Sequence, residues 1–279
     1  MKRLRVDFNE RESTQDAVIP ENWPENRNVS LTIGESVLLC DDTFEVQAVV
    51  AAGQHCKHIG KFDRTTIRNF SDLEIILRAA PVVPVLIVED WKAAVPLARA
   101  LAGGGLTAIE ITLRTPNALD AIRAVAAEVE GAHVGAGTVL TRAQFADAER
   151  ANAKFAVSPG ATSELIQAAA DSELPLLPGA STATEAMTLL EFGYSILKFF
   201  PAEPAGGIAA LKALASPLPA VRFCPTGGIT PTNAPAYLAL PNVICVGGSW
   251  VAPQDAITAG DWARLEKLAS EAAQLGKAQ

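Results

Sequence analysis

From about residue 71 onward, short apolar runs alternate with longer segments whose apolar positions recur at helical spacing. Short continuous apolar runs are typical of strands buried on both faces, and the longer segments are typical of amphipathic helices. The predicted strands cover residues 82–88, 108–112, 133–136, 155–157, 174–177, 196–200, 220–224 and 243–246. The clearest helical segments cover residues 91–101, 117–129, 182–191 and 262–275. Eight strands separated by helices predict parallel pairing with right-handed crossovers.

This alternation predicts an α/β fold, and a (β/α)₈ TIM barrel is the architecture that it favours. The strand–helix unit repeats about every 20–25 residues, which is compact but sufficient for such a barrel. An open, doubly wound sheet has the same alternation and stays an alternative, because periodicity does not show whether a sheet closes. A helix over residues 71–79, capped by Ser71 and followed by Pro81, is expected to cover the barrel floor.

Residues 1–70 have a different texture from the rest of the chain. They are polar, lack a long helical period and contain two of the three histidines. Short strands are predicted over residues 29–33, 37–39 and 44–50, separated by turn-forming residues. The sequence therefore predicts two domains, a small β-rich appendage over residues 1–70 and the barrel over residues 71–279.

Composition and charge narrow the partners that the chain is expected to have. The chain is 49% hydrophobic but only 6% aromatic, which is typical of a globular protein with an aliphatic core. A net charge of −8 argues against nucleic acid or an anionic membrane as the main partner. We find no apolar run long enough for a transmembrane helix and no signal-peptide pattern. The four cysteines have no disulfide-like spacing, so a cytoplasmic location is expected.

Strand parity places two chemically active side chains on one face of the second predicted strand. Side chains alternate between faces along a strand, so Glu110, Thr112 and Arg114 share the face that points into the barrel. A buried ion pair that merely fills space contributes little stability, although that interpretation stays open. We interpret Glu110 as a general base and Arg114 as an anion clamp, since the guanidinium fork matches a carboxylate.

Lys198 is the unusual residue of the sixth predicted strand. A strand buried in a sheet rarely carries a lysine, and parity directs Lys198 toward the same interior as Glu110. Burial favours the neutral amine, which is a nucleophile. The sequence therefore predicts a Schiff-base lysine beside a proton-transfer carboxylate. The alternative is a strand-end lysine whose amine reaches solvent.

Glycines cluster where predicted strands three, seven and eight end. Strand three ends in a Gly-Ala-Gly segment followed by Thr138, whose hydroxyl can bind a ligand. Glycine-rich turns after the last two strands match the usual phosphate site of a (β/α)₈ barrel, where backbone amides cradle the anion. The residues predicted to do so are Gly227, Gly228, Gly247, Gly248 and Ser249. The alternative is glycine needed only for tight turns.

The segment from about residue 81 to residue 275 closely resembles the family of 2-keto-3-deoxy-6-phosphogluconate (KDPG) aldolases and 4-hydroxy-2-oxoglutarate (KHG) aldolases. The motifs that carry the resemblance are Pro81-Val82-Val83-Pro84-Val85, Glu110-Ile111-Thr112-Leu113-Arg114-Thr115, Val134-Gly135-Ala136-Gly137-Thr138-Val139, Ser158-Pro159-Gly160, Lys198-Phe199-Phe200-Pro201-Ala202-Glu203, Arg222-Phe223-Cys224-Pro225-Thr226-Gly227-Gly228-Ile229 and Gly247-Gly248-Ser249-Trp250. Their order and spacing make the resemblance specific.

The resemblance implies an activity and a role for each motif. It implies a class I aldolase that cleaves KDPG to pyruvate and glyceraldehyde 3-phosphate in the Entner–Doudoroff pathway, as a homotrimer without metal or other cofactor. Lys198 would form the Schiff base and Glu110 would be the general acid and base. Arg114 and Thr138 would hold the pyruvate carboxylate, and Pro159 and Phe200 would form apolar walls beside the methyl group. The glycine-rich segments and Ser249 would bind the phosphate.

Three alternatives stay open. The same reaction on KHG or on the galactonate epimer of KDPG differs only in pocket contacts that the sequence does not fix. A barrel that serves as a scaffold, with the appendage binding a partner, is the alternative outside enzymology. In the appendage, a weaker hypothesis is a zinc site formed by Cys40, His55, Cys56 and His58, whose spacing is not that of a standard zinc finger.

Overall fold

The computed structural model describes residues 72–275 in full and, before them, the backbone of six short strands. These strands are β1 (Lys2–Arg5), β2 (Asp16–Val18), β3 (Ser36–Cys40), β4 (Phe44–Ala51), β5 (Ile59–Phe62) and β6 (Arg68–Asn69). They form one sheet in the order β1-β3-β4-β5-β2, with β6 paired to β4. The strands predicted over residues 37–39 and 44–50 fall within β3 and β4. The predicted strand over residues 29–33 and the Ser71 cap lie outside the described residues.

The chain divides into two compact units, Met1–Ile75 and Ile76–Gln279. From residue 72 onward, strands and helices alternate. The elements are α1 (Asp72–Arg78), β7 (Val82–Leu86), a 3₁₀ turn (Trp91–Ala93), α2 (Ala94–Gly103), β8 (Ala108–Thr112), α3 (Ala118–Glu128), β9 (His133–Gly137), α4 (Arg142–Arg150), β10 (Phe155–Val157), α5 (Ser163–Ala170), β11 (Leu176–Leu177), β12 (Gly179–Ala180), α6 (Ala183–Glu191), β13 (Ile196–Phe199), α7 (Gly207–Ala215), β14 (Arg222–Pro225), α8 (Ala234–Leu238), β15 (Val246–Gly248), α9 (Gln254–Ala259) and α10 (Trp262–Ala273).

The strands of the second unit form a curled sheet in which every pairing is parallel. One ladder has the order β11-β10-β9-β8-β7-β15 and a second has the order β12-β13-β14. Two parallel bridges, Phe223 with Val243 and Thr226 with Gly247, place the end of β14 beside β15. The predicted α/β class with parallel strands is therefore confirmed. Parallel pairing brings the carboxyl ends of these strands to one edge of the sheet, where the candidate residues lie.

Several element boundaries differ from the prediction. The strand predicted over residues 243–246 lies later, because Gly247 and Gly248 pair with Val83 and Pro84 instead of forming a turn. The strand predicted over residues 174–177 is short and resumes after Pro178, which has no amide to donate to the ladder.

The apolar core lies between the sheet and the helices. Ile109 and Ile111 alternate with Glu110 along β8, and both are at most 1% exposed. They pack with Leu97 of α2 and Ile122 of α3, which are also fully buried. Burying one such side chain stabilises the fold by about 1.5–3 kcal/mol. The core therefore fixes the opposite face of β8, on which Glu110 lies. Among the described residues, no helix is long and apolar enough to cross a membrane.

Glu185 closes a capping box at the start of α6 and gives a test of local stability. Its carboxylate accepts hydrogen bonds from the amides of Ser181 (2.8 Å) and Thr182 (2.9 Å), while Thr182 Oγ1 accepts one from the Glu185 amide. The Ser181 amide contributes most to lowering the pKa of Glu185 below its ordinary value of 4.5.

Because the pKa of Glu185 is lower in the folded state, its carboxylate stabilises the fold above pH 4.5, and this contribution is lost as the pH falls through the lowered value. We expect Glu185→Gln to lower the free energy of unfolding by about 0.5–1 kcal/mol at neutral pH. The difference from the wild type should shrink in acid. Urea unfolding of both proteins, at neutral pH and at a pH below the lowered pKa of Glu185, measures this difference in the free energy of unfolding. Glu164→Gln, in the first turn of α5 but outside any capping box, is the matched control. Equal effects of both substitutions at every pH would contradict this account.

Candidate active site

Lys198 on β13 and Glu110 on β8 meet inside the curled sheet. Lys198 Nζ lies 3.1 Å from Glu110 Oε1 and 3.3 Å from Oε2, and the side chains are only 6% and 3% exposed. The two residues are 88 positions apart in the chain, so sheet curvature alone brings them together. A buried pair of this kind costs desolvation free energy that its attraction barely repays. The pair therefore contributes little net stability to the fold.

Gly137 provides the space that the Glu110 carboxylate occupies. A Cβ atom on Gly137 would lie 2.2 Å from Glu110 Oε1 and 2.5 Å from its Cγ. From the sequence we predicted only that the Gly-Ala-Gly segment ends strand three beside Thr138, and we missed this role of Gly137. The alternation of faces along a strand could have predicted this role, because it places Gly135 and Gly137 on the inward face of β9.

Arg114 and Thr138 lie beside each other just beyond β8 and β9. Arg114 Nε donates a hydrogen bond to Thr138 Oγ1 at 3.1 Å, and the arginine side chain is exposed. Thr138 has a φ of +58°, a left-handed conformation that is rare for a β-branched residue. Such strain concentrates at ligand-binding positions. Among the described residues, no group accepts a hydrogen bond from the other nitrogen donors of the Arg114 guanidinium.

The segment after β8 is tied to the end of β7 by three side chains. Thr112 Oγ1 donates to the carbonyl of Leu86 at 2.8 Å, and Thr115 Oγ1 donates to that of Val88 at 2.7 Å. Asn117 Nδ2 donates to the carbonyl of Glu89 at 2.6 Å. Thr112, which parity grouped with Glu110, is fully buried and forms this structural contact. These bonds hold the segment that carries Arg114.

A cavity of about 410 Å³ opens at the carboxyl ends of the strands. It is lined by Arg114 after β8, by Val85 and Ile87 at β7, and by the segments that follow β14 and β15. The lining includes seven of the nine predicted substrate-binding residues, namely Arg114, Phe200, Gly227, Gly228, Gly247, Gly248 and Ser249, and lacks Thr138 and Pro159. Lys198 and Glu110 are not among the lining residues, but the ring centroid of Phe200, which lines the cavity, is 5.5 Å from Lys198 Nζ.

The turn after β14 presents unpaired backbone donors. Within residues 72–275, no protein group accepts a hydrogen bond from the amides of Gly228 and Ile229. Gly227 and Gly228 have φ values of +100° and +81°, a conformation that favours glycine. Thr226 also lines the cavity, and a Cβ on Gly247 would lie 2.2 Å from its hydroxyl. We did not single out Thr226 from the sequence, although it precedes the two glycines directly.

Two other sequence hypotheses have different outcomes. Pro159 is half-buried after β10 and is absent from the cavity lining, while its carbonyl oxygen would lie 2.2 Å from a Cβ on Gly179. Of the hypothetical zinc ligands, His55, Cys56 and His58 lie outside the described residues, as does the side chain of Cys40. In the described part of the chain, no group of three or more His, Cys, Asp or Glu side chains could hold a metal ion.

The fold and the site together define an α/β protein with a buried lysine–carboxylate pair beside a cavity that Arg114 and glycine-rich segments line. The family model of KDPG and KHG aldolase matches residues 73–268. The KHG/KDPG aldolase of Escherichia coli (strain K12) is 53% identical over 204 residues, which are 73% of this chain and 96% of that protein. This chain therefore belongs to the KDPG and KHG aldolase family.

Two solved structures are similar in both sequence and fold. KDPG aldolase from Legionella pneumophila, with pyruvate captured as a covalent carbinolamine intermediate, is 45% identical with a TM-score of 0.71, covering 73% of this chain and 98% of that one. The aldolase of Zymomonas mobilis ZM4 with 3-phosphoglycerate is 50% identical with a TM-score of 0.69, covering 73% and 96%.

Substituting Gly137 tests whether it makes room for the pair. We expect Gly137→Ala to displace the Glu110 carboxylate and to lower the free energy of unfolding by about 1–3 kcal/mol, because the new methyl group cannot fit. Denaturant unfolding measures the loss, and a crystal structure of the variant measures the Lys198–Glu110 distance.

Gly160→Ala is the matched control, since nothing lies within 4 Å of a Cβ at that position. It should change stability by less than about 0.5 kcal/mol. An unchanged Lys198–Glu110 distance in Gly137→Ala would contradict the role assigned to Gly137.

Proposed function

We propose that the protein is a class I aldolase that cleaves KDPG to pyruvate and glyceraldehyde 3-phosphate. The observation that carries this proposal is the buried contact between Lys198 and Glu110 beside the cavity. Curated relatives at 50–53% identity carry the name KDPG aldolase, which supports the same reaction and its place in the Entner–Doudoroff pathway. The enzyme is accordingly a lyase that breaks a carbon–carbon bond.

Lys198 begins the reaction as a nucleophile. Transfer of one proton from its ammonium group to Glu110, 3.1 Å away, leaves a neutral amine in a site nearly closed to water. The amine attacks the C2 carbonyl of the substrate to give a carbinolamine. Glu110 then gives its proton to the carbinolamine hydroxyl, which leaves as water, so that an iminium ion forms and the Glu110 carboxylate is restored. The iminium ion withdraws electrons from the C3–C4 bond. The pyruvate carbinolamine in the Legionella pneumophila aldolase is an intermediate of this type.

Glu110 completes the cleavage as base and acid. The carboxylate, directly or through water, takes the proton of the C4 hydroxyl. The C3–C4 bond breaks, its electron pair forms the enamine, and the C4 oxygen becomes the carbonyl of the departing aldehyde. Return of a proton to C3 regenerates the iminium ion. Water then adds to C2, and pyruvate leaves as the Lys198 amine is restored.

The cavity offers binding groups for both anionic ends of the substrate. Arg114 and Thr138 are proposed to hold the carboxylate, with Phe200 and Pro159 as apolar walls near the methyl group. The unpaired amides of Gly228 and Ile229 support a phosphate site in the glycine-rich turn, completed by Gly227, Gly247, Gly248 and Ser249. The 3-phosphoglycerate in the Zymomonas mobilis structure is a phosphate ligand of similar size.

KHG cleavage is the second candidate reaction. The relative from Escherichia coli carries the name KHG/KDPG aldolase, and the chemistry at Lys198 is the same for both substrates. The candidate phosphate turn favours the phosphorylated substrate. The galactonate epimer differs only in the configuration of a hydroxyl group, and structural similarity to an enzyme named KDPGal is lower, at 30% identity and a TM-score of 0.63.

The architecture and setting extend the proposal. We propose that the strands of residues 71–279 close into a (β/α)₈ barrel, supported by the pairing of β15 with β7 and its bridges to β14. Residues 1–70 are proposed to be a separate β-rich appendage. The cytoplasm is the proposed location, which the lack of disulfide-like spacing among the four cysteines supports. The homotrimer implied by the family resemblance remains a proposal.

Borohydride trapping tests the Schiff base. After incubation with pyruvate and reduction, we expect a stable adduct on Lys198, located by peptide mass, because the reduced iminium cannot hydrolyse. Lys198→Met should form none and should lose aldolase activity. Lys212→Met removes an exposed lysine of α7 and should retain the adduct. A folded wild-type protein without an adduct on Lys198 would overturn the mechanism and favour the scaffold hypothesis.

Comparing two substrates tests the phosphate site. We expect kcat/KM for KDPG to exceed that for KHG by at least about tenfold, the factor that corresponds to about 1.4 kcal/mol of phosphate binding. Steady-state assays of pyruvate release measure both values. Equal values for the two substrates would show that the glycine-rich turn contributes nothing to binding, and KHG cleavage would become the better assignment.

A further inference from the structure

Glu203 and Tyr237 form a contact behind the glycine-rich turn that the reaction does not use. Glu203 follows β13, Tyr237 lies on α8, and the Tyr237 hydroxyl donates a hydrogen bond to Glu203 Oε1. Tyr237 is fully buried, whereas Glu203 is exposed. Neither residue lines the cavity. Any effect on a ligand must therefore pass through the backbone between them and the cavity.

The Glu203 side chain lies directly against Gly228. A Cβ on Gly228 would be 2.6 Å from Glu203 Cγ and 2.8 Å from Glu203 Cβ. On the other side, a Cβ on Gly207 would be 3.3 Å from Glu203 Oε1 and 2.9 Å from the Tyr237 hydroxyl. The stem of Glu203 thus packs on the turn, while its carboxylate points to the start of α7, where a negative charge is favourable.

Hydrogen bonds hold the carbonyl groups of the turn from the same side. The amides of Ala202 and Glu203 donate to the carbonyls of Thr226 (2.8 Å) and Gly227 (3.1 Å). Asn233 Nδ2 donates to the carbonyl of Gly228 at 3.1 Å. Because three successive carbonyl groups accept these hydrogen bonds, the orientation of their peptide planes is fixed. The direction in which the amides of Gly228 and Ile229 point is fixed with it.

The hydrogen bond from the Tyr237 hydroxyl holds the Glu203 side chain in its position against Gly228. Burial, together with the hydrogen bond and the negative charge of Glu203, raises the pKa of Tyr237, so its hydroxyl remains a donor at neutral pH. A buried hydroxyl whose acceptor moved away would lose its only described partner at a free-energy cost. The contact therefore resists displacement of Glu203 from Gly228.

We propose that Glu203 and Tyr237 are positioning residues that orient the Gly227–Gly228 turn toward the phosphate group of the substrate. The proposal rests on the proposed function, because it takes the turn to be the phosphate site. It assigns to Glu203 no contact with substrate and no proton transfer. We call the Glu203–Tyr237 contact the clamp. Its loss weakens the binding of phosphorylated ligands and leaves the formation of the Schiff base on Lys198 unchanged.

Tyr237→Phe removes the hydroxyl and keeps the ring, which makes it the first variant to measure. We expect KM for KDPG to rise about five- to tenfold, a factor within the range for loss of one ordinary hydrogen bond, because the effect reaches the phosphate only through the turn. We expect kcat to change less than about twofold. The rate of pyruvate adduct formation on Lys198 and kcat/KM for KHG should stay within about twofold of the wild type. Tyr194→Phe, at the other tyrosine of the chain, is the matched control and should leave all these values unchanged.

Glu203→Ala and the double variant test whether the two residues act as one unit. Because Glu203 is exposed, its removal leaves no buried cavity, which keeps the test valid if Tyr237→Phe folds poorly. Glu203→Ala should raise KM for KDPG like Tyr237→Phe, and the double variant should do no more than the larger single change. Glu203→Gln, which keeps an acceptor for the tyrosine, should recover most of the affinity.

The outcomes separate this inference from the proposed function. A wild type that forms no pyruvate adduct or does not prefer KDPG would overturn the proposed function itself. A wild type that does both, combined with unchanged KM in Glu203→Ala and Tyr237→Phe, would overturn only the clamp. Equal losses on KDPG and KHG would show a general structural effect and would overturn the clamp as well.

Discussion

The contact between Lys198 and Glu110 is the constraint on which the rest of the site depends. A buried ammonium and a buried carboxylate are each costly, and removing either partner alone would leave an uncompensated charge worth about 3–5 kcal/mol of destabilisation. The apolar face of β8, with Ile109 and Ile111 packed under the helices, prevents Glu110 from turning outward. Because Gly137 has no side chain, it leaves the space that the Glu110 carboxylate fills. Core packing thus supports a pair that contributes little stability itself.

Much of this site could be predicted because strands alternate faces with period two. Parity alone directed Glu110 and Lys198 to one interior, although 88 positions separate them. The predicted strand boundaries placed glycine-rich segments at the ends of strands seven and eight, and the glycines of both segments line the cavity. Thr112 shows the limit of parity, since a side chain on the inward face can be used by a neighbouring strand, here through the carbonyl of Leu86.

What the sequence could not predict are contacts that depend on pairing between strands. Gly247 and Gly248 look like a turn, yet they continue β15 because β7 offers Val83 and Pro84 as partners. The periodicity of the sequence does not predict which residues of β15 and β7 pair. The Glu203–Tyr237 contact belongs to the same class, because it joins a segment after β13 to α8 and neither residue stands out in its local sequence.

Under the proposed function, an acidic protein must bind a substrate that carries two anionic groups, a carboxylate and a phosphate. The net charge of −8 repels such a molecule at long range, so attraction must be local. Arg114 provides one positive group at the end of β8, while the turn after β14 offers backbone amides instead of a second cation. Amides attract an anion only when they are oriented, because each carries a dipole and no net charge. A site of this kind gains selectivity from rigidity, and a mobile turn would lose the phosphate while keeping the lysine chemistry intact.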